Sequence, residues 1–231
     1  GTKRIGITKY EAPLPGGSAN VEGQFFDGVP KTDEERVQSS TGAKHLESLQ
    51  GRAFYITVKC DGSSMTVAMH DGVPKVASRN HRLSDVEGSA YYRAAREYLN
   101  DDLSMDLLKI VEANPHLAFQ GELCGPGIQN NRLGLHAHRC FVFNVYDRSE
   151  GRYLDLLEMA ALQVEYGFHM VPVLVIGGCF TDTQESLLAL AEGKYEGTQN
   201  EREGIVIRSN DDGPFVSFKA ISNRFLLRGG D

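Results

Sequence analysis

Lys59 closes an apolar run, "FYITV", and is followed by Cys-Asp-Gly-Ser-Ser. A lysine in that place is either a solvated strand end or a reactive amine. On a strand, Lys59 and Asp61 lie two apart and point to one face, and Gly62 lets the chain turn sharply. An amine attacks only when neutral, so its pKa must fall. A nearby carboxylate works the other way, because it favours the ammonium form. Asp61 therefore does not activate Lys59 by itself. It does so if it holds a metal cation beside the amine, since the cation depresses the lysine pKa and shields an incoming phosphate.

Other residues extend this chemistry. Glu122 in "FQGELCG" lies near a strand end beside Gly121, and Glu203 enters the strand "EGIVIRS" before Gly204. Alone, each reads as a solvated strand end. With Asp61 they supply oxygen donors of the kind that position a hydrated Mg2+ or Mn2+. Lys219 ends "FVSFK" and is suited to neutralising phosphate charge. Arg79 in "VASRN" closes a strand with a fork donor for ribose or phosphate. Phe141 and Phe143 share one face of "CFVFNVYD"; that spacing suits a core, or a stacking platform for a base. His136, His138 and Cys140 alternate as zinc ligands could. No fourth ligand is evident, and surface or RNA-facing histidines are the preferred reading.

These residues need strands to carry them. "FYITVKC" and "SMTVAMH" are rich in β-formers, and Asp-Gly in "HDGVPKVAS" marks a hairpin. "LAFQGEL", "RCFVFNVYD", "HMVPVLVIGG", "EGIVIRS" and "FVSFKAI" continue as strands. Helices are predicted for "KTDEERVQSS" (Thr32 and Glu35 as capping box), "SDVEGSAYYRAAREYL" (Ser84 and Glu87) and "SMDLLKIVEA". Two more are predicted for "LDLLEMAALQVEYG" and "TDTQESLLALAEG" (Thr181 and Gln184). "APLPGGSANVEGQ" reads as loop. Hairpins with inserted helices make the fold class α+β, with antiparallel β-sheets flanked by helices.

The chain has 231 residues, 41% hydrophobic, which is enough for a sizeable core. Its net charge is −7, from 24 basic and 31 acidic residues. A protein that holds nucleic acid over its whole surface is usually basic. A nucleic-acid role must then rest on local patches: "SRNHR" (Ser78 to Arg82), "NNRLGLHAHR" (Asn130 to Arg139) and "SNRFLLR" (Ser222 to Arg228). No apolar run reaches membrane-spanning length and no signal peptide opens the chain. Cys60, Cys124, Cys140 and Cys179 form no CxxC pair; they read as reduced thiols of an intracellular protein.

Taken in order, KxDG, SRN, GE, FxFN, EGIVI and FK resemble the covalent nucleotidyltransferase superfamily of ATP-dependent DNA and RNA ligases and GTP-dependent capping enzymes. "KTDEERVQ" and "FKAISNRFLL" bring the chain closest to the adenylyltransferase domain of ATP-dependent RNA ligases, over Lys31 to Leu227. The resemblance implies a single nucleotidyltransferase (ATP-grasp-like) domain, with ATP and Mg2+ or Mn2+ as cofactors. It implies that Lys59 takes AMP from ATP, and that Asp61, Glu122 and Glu203 surround the metal. Arg79 and Glu122 would contact ribose or phosphate, Phe143 would stack on adenine with Phe141 as runner-up, and Lys219 would contact the AMP phosphate. Many relatives have Lys-x-Lys in the last motif, where Ser217 takes the first place here. The implied partners are RNA ends or a nicked duplex, with no membrane and a monomeric protein. An OB module is expected before this domain in a longer chain. The alternatives are a GTP-dependent capping or DNA ligase domain, or a nucleotide- or RNA-binding module without catalysis.

Overall fold

The computed structural model describes residues 21–97 and 105–229. In chain order its elements are β1 (Val21–Gln24), β2 (Glu35–Arg36), α1 (Ser40–Leu49), β3 (Phe54–Lys59), β4 (Ser63–His70), β5 (Val73–Ala77), β6 (His81–Leu83), α2 (Ala90–Ala95), α3 (Leu107–Ala113), β7 (Leu117–Cys124), β8 (Arg139–Asp147), β9 (Arg152–Tyr153), α4 (Leu156–Tyr166), β10 (Val173–Gly177), α5 (Gln184–Ala191), β11 (Gly204–Ser209), β12 (Ser217–Ile221) and α6 (Asn223–Leu227). They build a seven-stranded sheet in the order β1-β6-β5-β4-β7-β8-β9 and a five-stranded sheet in the order β10-β3-β11-β12-β2. Every named strand pair is antiparallel except β12 with β2. The α+β class expected from the sequence is the class observed.

Alternation decides what each sheet buries. On the five-stranded sheet, Phe54, Ile56, Ile205, Ile207 and Phe218 pack with Leu49 of α1, with Leu187 of α5 and with Phe180 from the segment before α5. On the larger sheet, Met65, Val67, Phe119, Leu123 and Val142 pack with Tyr91 of α2, Ile110 of α3 and Met159 of α4. Helices thus cover one face of each sheet, and the period of two sends the polar members of the same strands to the other face. Those faces carry Thr57, Lys59, Arg208 and Lys219 on one sheet, and Ser64, Thr66, Gln120 and Glu122 on the other. The Asp-Gly hairpin between β4 and β5 is present, with φ of 49° at Asp71 and 76° at Gly72, the left-handed pair that a two-residue turn demands.

Three helix starts differ from expectation. "KTDEERVQSS" is not a helix up to Ser39. Thr32 Oγ1 lies 3.1 Å from Ser64 Oγ, Asp33 ion-pairs with Arg79, Glu34 ion-pairs with Arg208, and Glu35–Arg36 joins β12 as β2. Of the two side chains a capping box would use, Thr32 is committed to a distant partner and Glu35 accepts from Ser39 Oγ, and α1 begins only after Ser39, whose Oγ caps Gly42 N. Ser84 is likewise not a cap: Gly88 (φ 84°) breaks the chain and Ser89 opens α2. α5 starts on Thr183 with Ser186 rather than on Thr181. α4 ends where predicted, on Gly167 at φ 70°, but starts two residues inside "LDLLEM", opened by an Asp155–Glu158 capping box; such a cap contributes about 1 kcal/mol. His136 and His138 precede β8 instead of lying on it. Most of "APLPGGSANVEGQ" lies outside the described residues, as does the end of "SDVEGSAYYRAAREYL".

Candidate active site

Register fixes the site. Across the five-stranded sheet, Lys59 pairs with Gly204 and Gly204 with Ile221; one row inward stand Thr57, Val206 and Lys219; next come Tyr55, Arg208 and Ser217. Across the larger sheet, Ser64, Glu122 and Phe141 form one row and Thr66, Gln120 and Asn144 the next. A register shift between Gln120 and Gly121 leaves Phe143 without a pairing partner and turns it toward Arg208, whose guanidinium lies 5.3 Å from its ring. Bulges of this kind re-aim side chains next to active sites. The motif glycines have a packing reason. A Cβ at Gly62 would lie 2.3 Å from Leu123 O, and one at Gly204 (φ 153°) would lie 2.1 Å from Ala220 O.

Lys59, Asp61, Glu122 and Glu203 line one cavity of about 130 Å3, with Gln129, Asn130, Arg132 and Phe225. Lys59 Nζ donates to Glu203 Oε2 at 2.9 Å, and both side chains are largely buried. Burial works against the Lys59 ammonium, but Glu203 and Glu122 outweigh it and hold the amine well above the ordinary lysine range. Lys59 is therefore a charged amine in this state. Burial raises the Glu122 carboxyl to about 8; Lys59 opposes that rise, while Glu203 adds to it. Asp61 is also raised, by burial and then by Glu203, against its ion pair with Arg132 at 3.1 Å. Burial and the nearby Lys59 charge lower Lys219. The cavity thus gathers more buried carboxylates than its cations satisfy.

Of the residues chosen from sequence, Lys59, Asp61, Glu122 and Glu203 come together in this cavity, and Lys219 stands one row away. Phe143 is 8% exposed and packs with Cys60, Cys124 and Val171, while Phe141 is the more open of the two. Arg79 does not line the cavity; it is half-exposed and paired with Asp33. His136 and His138 form no metal cluster with Cys140 among the described residues. A larger hollow of about 440 Å3 between α4 and β10 is lined by Leu156, Ala160, Phe168 and Ile176 and holds none of these residues.

Sequence reasoning passed over four residues. Arg132 sat in a stretch weighed only as a local basic patch for nucleic acid, yet it pairs with Asp61 and stacks at 4.6 Å on the Phe225 ring. Glu34 and Arg208 meet at 3.4 Å, with Arg208 only 1% exposed and donating to Thr57 Oγ1 at 2.9 Å. Tyr195 is buried with its hydroxyl against the Lys59 backbone. A basic residue in a loop and a tyrosine between two elements carry no periodic signal, so nothing in the sequence marked them.

A model of the RNA ligase family matches residues 52–221, which spans Lys59, Glu122, Glu203 and Lys219. The chain belongs to the RNA ligase family. No curated protein matches it. Among solved structures it is similar to Naegleria gruberi RNA ligase with pyrophosphate, at 33% identity and a TM-score of 0.82, over 96% of this chain and 64% of that one. A lysine-to-alanine mutant of that ligase with ATP and Mn aligns at 33% identity and a TM-score of 0.81, over the same shares. A lysine-to-methionine mutant with AMP and Mn aligns at 33% identity and 0.82, over 97% and 65%. The chain thus spans about two thirds of the length of these solved ligases.

The donor set of this RNA ligase family member fits a divalent cation. Asp61, Glu122 and Glu203 supply only oxygens, and burial is the first cause that raises the Glu122 and Asp61 carboxyls, so a cation beside them would favour their ionised forms. Among the described residues, no three His, Cys, Asp or Glu side chains are disposed to hold an ion unaided. An ion there would have to keep its waters and lean on substrate phosphates, as Mg2+ does. The same imbalance makes the metal-free protein pH-sensitive. Glu122 keeps its proton up to about pH 8 when folded, against an ordinary value of 4.5. Between those values the folded state binds more protons, so stability falls as pH rises. With a chelator present, the melting temperature is expected to decline from pH 5 to pH 8, and Glu122→Gln to flatten the decline. Parallel profiles for the two proteins would show that Glu122 does not titrate in this window.

Proposed function

We propose that this chain is the adenylation domain of an ATP-dependent RNA ligase. The observation that carries the reading is Lys59: a largely buried amine, 2.9 Å from Glu203, in one cavity with Asp61 and Glu122, inside a stretch that matches the RNA ligase family. The similar Naegleria ligase structures carry ATP, AMP, pyrophosphate and Mn, which supports the same substrate and ion here.

The Lys59 nitrogen attacks the α-phosphorus of ATP. The N–P bond forms as the bond to the bridging oxygen breaks, and pyrophosphate leaves with the electron pair. Glu203 Oε2 is the acceptor in place for the ammonium proton. Asp61, Glu122 and Glu203 would hold a divalent cation with the help of its waters, and that ion would lower the amine pKa and offset phosphate charge. Lys219, one row from Lys59, meets the phosphate as a second cation. Phe143 is the stacking platform for adenine, and Arg79 releases Asp33 to meet ribose or phosphate. A 5′-phosphate oxygen of an RNA end then takes the AMP from Lys59. A 3′-hydroxyl finally attacks that phosphate and AMP departs. The cavity is smaller than the roughly 300–1,000 Å3 of common ligand pockets, so the Arg132 and Phe225 side chains that bound it give way to the nucleotide. We place the protein inside the cell, on its free thiols, and take it to act as a monomer; no helix among the described residues is long and apolar enough to cross a membrane.

The test is incubation with ATP labelled on the α-phosphate and Mn2+, followed by denaturing electrophoresis. A labelled protein band is expected with ATP and not with GTP. Adding a nicked duplex should transfer the label when the 3′-hydroxyl strand is RNA and not when it is DNA. Strong labelling by GTP would mean a capping reaction instead, and ATP binding without an adduct would mean a binding module.

A further inference from the structure

The hairpin between α5 and β11 brings one phenol to the backbone of the site. Lys194 bridges Glu201, Tyr195 N donates to Asn200 O at 3.1 Å, and Thr198 Oγ1 donates to Tyr195 O at 3.0 Å. So held, Tyr195 reaches inward and is 6% exposed. Its hydroxyl donates to Lys59 O at 2.9 Å and accepts from Asp61 N at 2.9 Å and from Glu203 N at 3.1 Å. A phenol offers one proton and two lone pairs, and all three are spent here on the main chain of Lys59 and of two carboxylate residues.

The ladder explains why such a group is needed. The β3–β11 pairing ends at Lys59 with Gly204, and the chain leaves the sheet through Cys60 to Gly62. Beyond that rung, Lys59 O, Asp61 N and Glu203 N have no strand to pair with, and buried backbone groups must be paired. The Tyr195 hydroxyl takes the place of the missing rung. Tyr195 does not line the cavity, so it acts on the reaction only through the residues it holds. Burial pushes its phenol far above the ordinary range, so it remains a donor at any working pH.

We propose that Tyr195 is a positioning residue for adenylation, which locks the backbone of Lys59, Asp61 and Glu203 so that the amine faces both the carboxylates and the α-phosphorus. The proposal rests on the ligase reading above. Beside the Lys59–Glu203 ion pair, the Tyr195 hydroxyl ties the backbone of the KxDG turn to the backbone at the start of the EGIVI strand, and a ring without it cannot.

The test is Tyr195→Phe, which removes only the oxygen. Lysyl-AMP formation is followed in single turnovers across ATP concentrations, and amide hydrogen exchange is followed in the same protein. The rate constant at saturating ATP is expected to fall on the order of 10- to 100-fold, the scale of a small misplacement of reacting groups. The ATP concentration at half-maximal rate should change by less than about threefold, because no nucleotide contact is lost. The Asp61 and Glu203 amides should exchange faster while those in the middle of β3 and β11 do not. A saturating rate within twofold of the wild type overturns the proposal. So does a loss shared equally by rate, ATP affinity and protection throughout both strands, since that is a general loss of structure. If Tyr195→Phe does not fold, Thr198→Val, which loosens the hairpin and keeps the hydroxyl, is expected to lower the saturating rate severalfold; no change there also overturns it. A wild-type protein that forms no adduct while its Asp61 and Glu203 amides stay protected would sink the ligase reading, and the catalytic role of Tyr195 with it.

Discussion

Lys59→Ala is expected to abolish labelling from α-labelled ATP altogether, with the protein still folded. The adduct needs a nucleophile at that point, and no other amine stands 2.9 Å from Glu203 among the described residues. Stability should change as well. Removing one partner of a buried ion pair costs about 3–5 kcal/mol. Lys59 and Glu203 are 18% and 17% exposed, so solvent screens part of the loss, and about 1–3 kcal/mol is the fitting range. The pH dependence has a definite sign. Lys59 is the influence that lowers Glu122; without it the carboxyl is pushed higher still. The folded variant then holds its proton to higher pH, so its stability goes on declining past about pH 8, where that of the wild type levels off. Lys59→Met keeps the aliphatic stem and should recover part of the stability while remaining unlabelled. A label that persists in both variants means the nucleophile is elsewhere.

Arg208→Ala is expected to give the largest loss of stability. Arg208 is 1% exposed and lies between the two sheets. It donates to Thr57 Oγ1 at 2.9 Å, pairs with Glu34 at 3.4 Å, and lies 5.3 Å from the Phe143 ring and 6.0 Å from that of Tyr55. Alanine removes all of this and leaves the Glu34 carboxylate, itself mostly buried, without its partner. Breaking a buried pair from one side costs about 3–5 kcal/mol, and at about 2–4 °C per kcal/mol the melting temperature should fall by roughly 6–20 °C. Most of that cost is the stranded carboxylate rather than the pair. Arg208→Met with Glu34→Gln should therefore be more stable than Arg208→Met alone, which scanning calorimetry on the two proteins decides. A drop of only a degree or two in Arg208→Ala would show that the pair is solvated in solution. Because Arg208 also backs Phe143, the same variants should need more ATP to reach half-maximal adduct formation.

The two results bear on different layers of the protein. Lys59, Asp61, Glu122, Glu203 and Lys219 are legible in the sequence because each sits at an edge of an apolar strand, beside a glycine or at a strand end. That context is local, and the order of such contexts is what resembles the family. Arg208, Glu34, Arg132 and Tyr195 have no comparable context. Arg208 lies inside the strand EGIVIRS and reads as its outward-facing end, yet it faces a second sheet. Glu34 belongs to a segment whose composition promises a helix, and the partners that keep it extended are far away in the chain.

Strand identity, face and the main acid and lysine residues followed from the sequence by itself, because a period of two and a glycine beside a functional acid are written in neighbouring residues. The helix that "KTDEERVQSS" lacks, the shifted caps of α2 and α5, and the ties of Arg132 and Tyr195 were decided only by tertiary structure. Each depends on hydrogen bonds or ion pairs between residues distant in sequence. For the Thr32 to Glu35 segment those partners outcompete a capping box that contributes about 1 kcal/mol. The same holds for the chemistry: the sequence supplied an amine and three carboxylates, while the fold placed Arg132 on Asp61 and Glu203 2.9 Å from Lys59, a contact that helps keep the amine charged.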